Sequence, residues 1–217
     1  MCGVVGFADY KKQASLNLLN KLVNKLSHRG PDDYGSYFDE NKLSYIGLGH
    51  SRLSILDPTQ KGKQPMIFKE IVISYNGEIY NFLELKNELK KIGYEFETRT
   101  DTEVLLKAYH CWGIEFIHKL NGMFVISLLD KKKEKFYLIR DRLGIKPIYW
   151  FFDDETFIFS SELKVFKSIA FIKKKISMDG LSCYFRYGYI PEPYSILEGV
   201  KKLAAGSFLE FSIIKKN

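Results

Sequence analysis

Apolar residues recur along this chain at two different periods. Leu16, Leu19, Val23 and Leu26 fall at helical spacing, with Leu18 and Leu22 on an adjoining stripe, and predict an amphipathic helix over 15–27. Ser27-His28-Arg29-Gly30-Pro31 stops it, since glycine frees the backbone and proline cannot continue a helix. Phe82, Leu85, Leu89 and Ile92 predict a second helix closed by Gly93. Thr100-Asp101-Thr102-Glu103 has the form of a capping box and opens a third helix toward Trp112. The other apolar runs are shorter or alternate. They predict strands at Val4–Ala8, about 43–53, 70–75, Met123–Leu129, Lys135–Arg140, Ile148–Phe152 and Thr156–Ser160. Asp130–Glu134 and Asp153-Asp154-Glu155 read as hairpin turns between strand pairs. Strands at both ends of the first 160 residues, with helices between, favour an α+β fold with antiparallel sheets over a parallel βαβ fold. Residues 162–217 change character. Pro191 and Pro193 interrupt the aromatic run Tyr184–Tyr194, and the segment reads as a connector beyond a boundary within 165–190.

At 217 residues the chain is long enough to bury a continuous core without staples. Apolar residues at 46% and charged residues at 27% exclude wholesale disorder. No apolar run approaches the roughly 18–20 residues of a membrane helix, and the N-terminus lacks the pattern of a signal peptide. Three cysteines without a CxxC pair argue against a disulfide scaffold or a zinc ribbon and fit a reducing cytoplasm. The net charge of +7 sits almost wholly in the last quarter, where residues 164–217 hold 10 basic and 4 acidic side chains. The lysines there form short scattered runs (Lys173 to Lys175, Lys201-Lys202, Lys215-Lys216) that read as solvated faces, not as the clustered stripe of a nucleic-acid binder.

The candidate chemistry begins at Cys2. A small residue after the initiator lets Met1 be removed, which places a thiol and an α-amine on one carbon. An α-amine titrates near 7.7–8.0 and can serve as general base for its own side chain. Cys2-Gly3-Val4-Val5-Gly6 is followed by His28-Arg29-Gly30-Pro31-Asp32-Asp33, Gly49-His50-Ser51-Arg52-Leu53-Ser54-Ile55-Leu56-Asp57 and Gln64-Pro65-Met66. Tyr75-Asn76-Gly77-Glu78-Ile79-Tyr80-Asn81, Arg99 to Val104, Arg140-Asp141-Arg142-Leu143-Gly144-Ile145-Lys146-Pro147 and Phe159 to Lys164 come next. This ordered set resembles the class II glutamine amidotransferase domain, and within it the glutaminase half of glutamine-hydrolysing asparagine synthetases.

The resemblance implies an N-terminal-nucleophile hydrolase fold, an αββα four-layer sandwich of two stacked antiparallel sheets. It implies a glutaminase core over 2–165 and, over 166–217, a connector and the start of a linker toward a synthetase domain. It also implies that Cys2 is the nucleophile, that Asn76 and Gly77 form an oxyanion hole, and that Arg52, Leu53, Ser54, Ile55, Leu56, Asn76, Gly77, Glu78 and Asp101 bind L-glutamine. The residue chemistry agrees. A guanidinium fork suits the α-carboxylate, carboxylates suit the α-ammonium, and N–H donors suit a tetrahedral oxyanion. Glycine at 77 is expected to let the backbone approach the substrate closely. Cofactors are expected only outside these residues: ATP and magnesium would belong to the synthetase domain, since no Ser-Gly-Gly-x-Asp-Ser loop occurs here. No metal site is expected. The expected partners are L-glutamine and a C-terminal synthetase domain in cis or trans, with room for a homodimer and none for nucleic acid or membrane.

Several readings stay open on sequence alone. Asn76-Gly77 also reads as a type I′ turn, and Asp101 as no more than a helix cap. The ammonia acceptor is aspartate or another carboxylate, of a sugar or a secondary metabolite, and the domain could hold glutamine without hydrolysing it. His28 and His50 read as structural hydrogen-bonders, because the α-amine makes a histidine base redundant. His110, Cys111 and His118 are too loosely spaced for a metal site and read as packing residues. Arg29-Gly30-Pro31-Asp32 reads as a segment that orders a loop over the pocket, and Lys131-Lys132-Lys133 as a solvated hairpin tip.

Overall fold

In a computed structural model of the chain, which describes residues 1–41 and 43–213, two antiparallel sheets lie face to face with helices on their outer sides. The Lys215-Lys216 run lies outside the described residues. In chain order the strands are β1 Gly3–Asp9, β2 Asp33–Glu40, β3 Tyr45–Arg52, β4 Met66–Phe68, β5 Ile71–Ile79, β6 Gly122–Asp130, β7 Lys135–Arg140, β8 Tyr149–Phe152, β9 Thr156–Ser160, β10 Lys201–Lys202 and β11 Phe208–Ser212. The helices are α1 Leu16–Asn24, α2 Phe82–Lys91, α3 Asp101–Trp112 and α4 Met178–Tyr187. One sheet runs β10-β8-β9-β1-β3-β2 and the other β11-β7-β6-β5-β4.

Period-two alternation assigns each strand residue to one layer. Val4 and Ala8 of β1, Ile46 and Leu48 of β3, and Phe157 and Phe159 of β9 face the second sheet. There they meet Val72, Val125, Leu129, Phe136 and Leu138. The opposite face of the first sheet (Val5, Phe7, Ile158) packs on Leu19, Leu22 and Val23 of α1. The opposite face of the second (Ile73, Tyr75, Ile126, Leu128, Ile139) packs on α2 and α3 through Leu85, Leu89, Leu105 and Tyr109. The order is helix, sheet, sheet, helix, the expected four-layer sandwich. Strands buried on both faces explain why 123–129 shows no alternation and is apolar at every position but Ser127.

Polar side chains also tie the two sheets together. Ser74 Oγ donates to the Gly49 carbonyl at 3.1 Å, and the His50 ring nitrogen Nε2 donates to the Tyr75 carbonyl at 3.0 Å. Residues 166–217 supply α4, β10 and β11, and the two strands pair with β8 and β7, one in each sheet. No described helix is long and apolar enough to cross a membrane.

Candidate functional site

The site forms at one end of the sandwich, where the start of β1, the end of β3, the end of β5 and the start of α3 converge. Cys2 directly precedes β1. Gly3 is paired with Ser51 of β3, the Val4 amide donates to Ser161 Oγ at 3.0 Å, and the Ser161 amide donates to the Val4 carbonyl at 2.9 Å. Arg29 Nε donates to the Cys2 carbonyl at 2.9 Å, and Glu162 holds that guanidinium at 3.1 Å. The chain end is therefore fixed on both sides. The Cys2 thiol lies against the Leu53 backbone, with Sγ 3.4 Å from the amide nitrogen and 3.7 Å from the carbonyl. Burial raises its pKa above the ordinary thiol value, against the opposing pull of the Leu53 hydrogen bond, the chain terminus and Arg52. A thiol so placed is protonated near neutrality and needs a base before it can attack.

Cys2 lines a hollow of about 180 Å³. Drug-sized pockets run to roughly 300–1,000 Å³, so this space is on the scale of one amino acid. Arg52, Leu53, Ile55, Leu56, Asn76, Gly77, Glu78 and Asp101 line it too, while Ser54 does not: its amide donates to Asp32 Oδ2 at 2.7 Å. That bond and the Arg29 contact are how the segment 29–32 orders the pocket wall.

Asn76 and Gly77 lie inside β5, paired with Val125 and Phe124 of β6, so they form no turn. The Asn76 side chain is buried, and among the described residues its Nδ2 has no hydrogen-bond partner. An unsatisfied buried donor costs on the order of 1–3 kcal/mol, and a substrate oxygen arriving in the pocket would satisfy it. Glycine at 77 also answers a demand from within the sheet. A Cβ there would stand 2.3 Å from the Met123 carbonyl and 2.7 Å from Phe124 Cα, so glycine serves the approach of β6.

Thr100, not Asp101, caps α3, with Oγ1 accepting from the Glu103 amide at 3.2 Å. The box is open on its other side, because the Glu103 carboxylate turns to the amides of Glu97 and Thr98 and to Lys107. Asp101 is left to the pocket, where its Oδ2 accepts from the Tyr75 hydroxyl at 2.8 Å and the Ile79 amide at 3.2 Å. Burial raises the pKa of Asp101, and burial together with the Asp101 charge raises that of Glu78. Two carboxylates held in mutual repulsion make a place for an ammonium group.

Arg52 is 5% exposed. Its guanidinium donates to the carbonyls of Thr59 at 3.0 Å, Leu56 at 3.2 Å and Asp57 at 2.5 Å. These bonds tie down the loop 53–59 and hold the guanidinium in the pocket wall. Gly62 makes room for the group, since a Cβ there would lie 2.1 Å from Arg52 Nη2.

The pocket holds groups to which the sequence reading assigned no role. Gln64 accepts from the Tyr75 amide at 2.7 Å and donates to Thr102 Oγ1 at 3.1 Å, bracing β5 against α3 beneath the cavity. Tyr75, Met123 and Lys146 also line it. Both histidines near the site are hydrogen-bonded. Burial pushes the His50 pKa down to about 4, so it is neutral at working pH, and the exposed His28 ring lies 2.9 Å from Glu162 Oε1. Of the histidines read as packing, His110 stacks edge-on against Phe68 and Tyr94, whereas His118 is exposed beside Glu115. His118 does not pack as expected, because the chain leaves α3 for a short 3₁₀ segment, Gly113–Lys119, at Gly113.

Comparison with known proteins places this geometry in context. The family model described as "Glutamine amidotransferase domain" matches residues 1–216. A putative glutamine-hydrolysing asparagine synthetase 2 of Methanocaldococcus jannaschii is 43% identical over the whole chain, which covers 45% of that protein. Glutamine-hydrolysing asparagine synthetase 3 of Bacillus subtilis is 36% identical over 98% of the chain, which covers 35% of that relative. The chain therefore spans less than half the length of these relatives. A solved glutamine phosphoribosylpyrophosphate amidotransferase from B. subtilis superposes with a TM-score of 0.65 at 19% identity, over 76% of this chain and 43% of that one, a likeness of fold.

Proposed function

The chain belongs to the glutamine amidotransferase domain family, and from that premise we propose that it hydrolyses L-glutamine to glutamate and ammonia with Cys2 as nucleophile. The observation that carries the reading is a thiol in one pocket with a buried amide donor, Asn76 Nδ2, that has no partner among the described residues. Once Met1 is removed, the free α-amine takes the thiol proton while Sγ bonds to the carboxamide carbon. The tetrahedral oxyanion is received by Asn76 Nδ2 and the Gly77 amide. The amine then hands its proton to the leaving nitrogen, the C–N bond breaks, and ammonia departs. Water cleaves the thioester along the same path in reverse. The substrate α-ammonium is held between Glu78 and Asp101, and its α-carboxylate by the Arg52 guanidinium, with Leu53, Ile55 and Leu56 against the methylenes.

In this reading ammonia passes to a synthetase half, which amidates aspartate with ATP and magnesium, as the names of the relatives suggest. The three free cysteines suit the cytoplasm. The chain with Met1 removed, incubated with glutamine, aspartate and ATP–Mg²⁺, is expected to give glutamate and ammonia in equal amounts, with neither asparagine nor AMP. Glutamine bound but not hydrolysed would leave only a binding module, and AMP from the pure chain would reveal a nucleotide site.

The clamp is tested separately. Arg52→Lys keeps the charge but loses the fork and the loop carbonyls it ties. A charge-assisted hydrogen bond is worth about 1.5–3 kcal/mol, so KM should rise between roughly tenfold and a hundredfold, with a smaller change in kcat. An unchanged KM would remove Arg52 from the binding site.

A further inference from the structure

Lys146 is a buried cation aimed at the chain end, and the mechanism above does not use it. The residue is 5% exposed. Its backbone is trussed on both sides. The Lys146 amide donates to Asp141 Oδ2 at 3.0 Å, and the Lys146 carbonyl accepts from Arg140 Nε at 2.9 Å. Asp141, wholly buried, also gathers the amides of Phe124, Leu143 and Ile145, and Arg140 Nη2 donates to the Gly144 carbonyl. Gly144 itself sits at φ +64°, a turn that glycine suits. The segment Arg140 to Pro147 is thus folded back on itself so that one side chain enters the pocket. The only hydrogen-bond contact of its ammonium among the described residues is the Met1 sulfur, at 3.5 Å. Removing Met1 takes that contact away and leaves the ammonium in the pocket that Cys2 lines.

We propose that Lys146 is a positioning residue of the glutaminase reaction: its ammonium disfavours a second positive charge on the Cys2 α-amine and so keeps that amine in the neutral, proton-accepting form. The proposal rests on Cys2 being the nucleophile. Other charges near Cys2 are Arg29 on the Cys2 carbonyl with Glu162 behind it, Arg52 and Asp101, and the carboxylates of Glu78 and Asp141 act on Lys146. Glu78 and Asp101 oppose the effect in the free protein. The substrate ammonium offsets them once bound, so the influence of Lys146 is greatest in the complex. Burial and Arg29 push the Lys146 pKa down, as expected for a cation placed without an ion pair.

The test is the pH dependence of kcat, which reports on the complex, for the chain with Met1 removed and for Lys146→Met and Lys146→Arg. Losing a neighbouring cation raises the pKa of an amine. The acid limb of Lys146→Met should therefore move up by about one pH unit, the low end of what an adjacent charge does, with the rate recovering toward wild type at high pH. Lys146→Arg restores the charge and should restore the limb. A limb that stays in place in Lys146→Met while the rate falls at every pH would make the residue a packing element and overturn the proposal. So would a folded Lys146→Arg that is inactive, because arginine cannot give up its proton and the result would make Lys146 itself the base. Where Lys146→Met fails to fold, the Arg variant decides: a wild-type limb supports the proposal, and a displaced limb overturns it. Glutamate release by Cys2→Ala would instead sink the nucleophile reading.

Discussion

Cys2→Ala is expected to lower glutamate release by at least about 10⁴-fold while glutamine still binds, because the clamp of Arg52, Glu78 and Asp101 does not include the sulfur. The mutation removes the atom that must bond to the carboxamide carbon and leaves the chain end in place. Val4 stays on Ser161, Gly3 stays paired with Ser51, and Arg29 still holds the residue 2 carbonyl, since none of these contacts uses Sγ. Only the weak sulfur contacts to Leu53 are lost. Glutamate release and glutamine binding, the second by calorimetry on the same preparation, separate the two effects. Turnover above a small fraction of wild type would refute Cys2 as nucleophile. A chain that retains Met1 should behave like this mutant, since an amide nitrogen at residue 2 has no basicity and Met1 itself lines the pocket.

The sequence carried the elements that are buried on a regular face. Leu19, Leu22 and Val23 of α1 and Leu85 and Leu89 of α2 fall at helical spacing because one stripe of each helix meets a sheet. It did not carry β2, Asp33–Glu40, an edge strand whose only partner among the described residues is β3 and whose side chains are mostly half-exposed, so no apolar alternation marks it. The α4 helix was legible in its ends, Ser177 accepting from the Gly180 amide and Gly188 at φ +74°, but the exposed aromatics between them mask the helical stripe. In β11 the alternation Phe208-Leu209-Glu210-Phe211-Ser212 was present and short.

The site divides in a similar way. Cys2, Arg52, Asn76 and Asp101 stand out as residue types that amide chemistry requires. Lys146 does not, because a lysine in a loop is commonplace and only the Asp141 and Arg140 truss, a tertiary feature, turns it toward residue 2. Gly77 shows another kind of constraint: the sequence singles it out for the pocket, and the neighbouring strand also leaves no room for a side chain there.

Asn76→Ala should lower kcat by about 10²–10³ with little change in KM, the signature of a donor that meets its acceptor only in the transition state. The ground-state carboxamide oxygen is neutral and planar, and the oxyanion is tetrahedral and charged, so a fixed N–H gains most from the second. Asn76 is well fixed. It lies in the interior of β5, with Val125 beside it and the first sheet across the layer. Its Nδ2 is already desolvated and unpartnered, which means the cost of stripping water from the donor is met in folding, not at the moment of reaction. That cost supplies a second readout. If Nδ2 served the fold, its loss would destabilise the protein; because it has no partner there, the alanine variant should keep a Tm within a few degrees of wild type as kcat falls. A common fall in kcat and Tm would make Asn76 a structural residue of β5. A kinetic profile like that of Arg52→Lys, with KM rising and kcat kept, would place it in the binding clamp and leave the oxyanion with Gly77 alone.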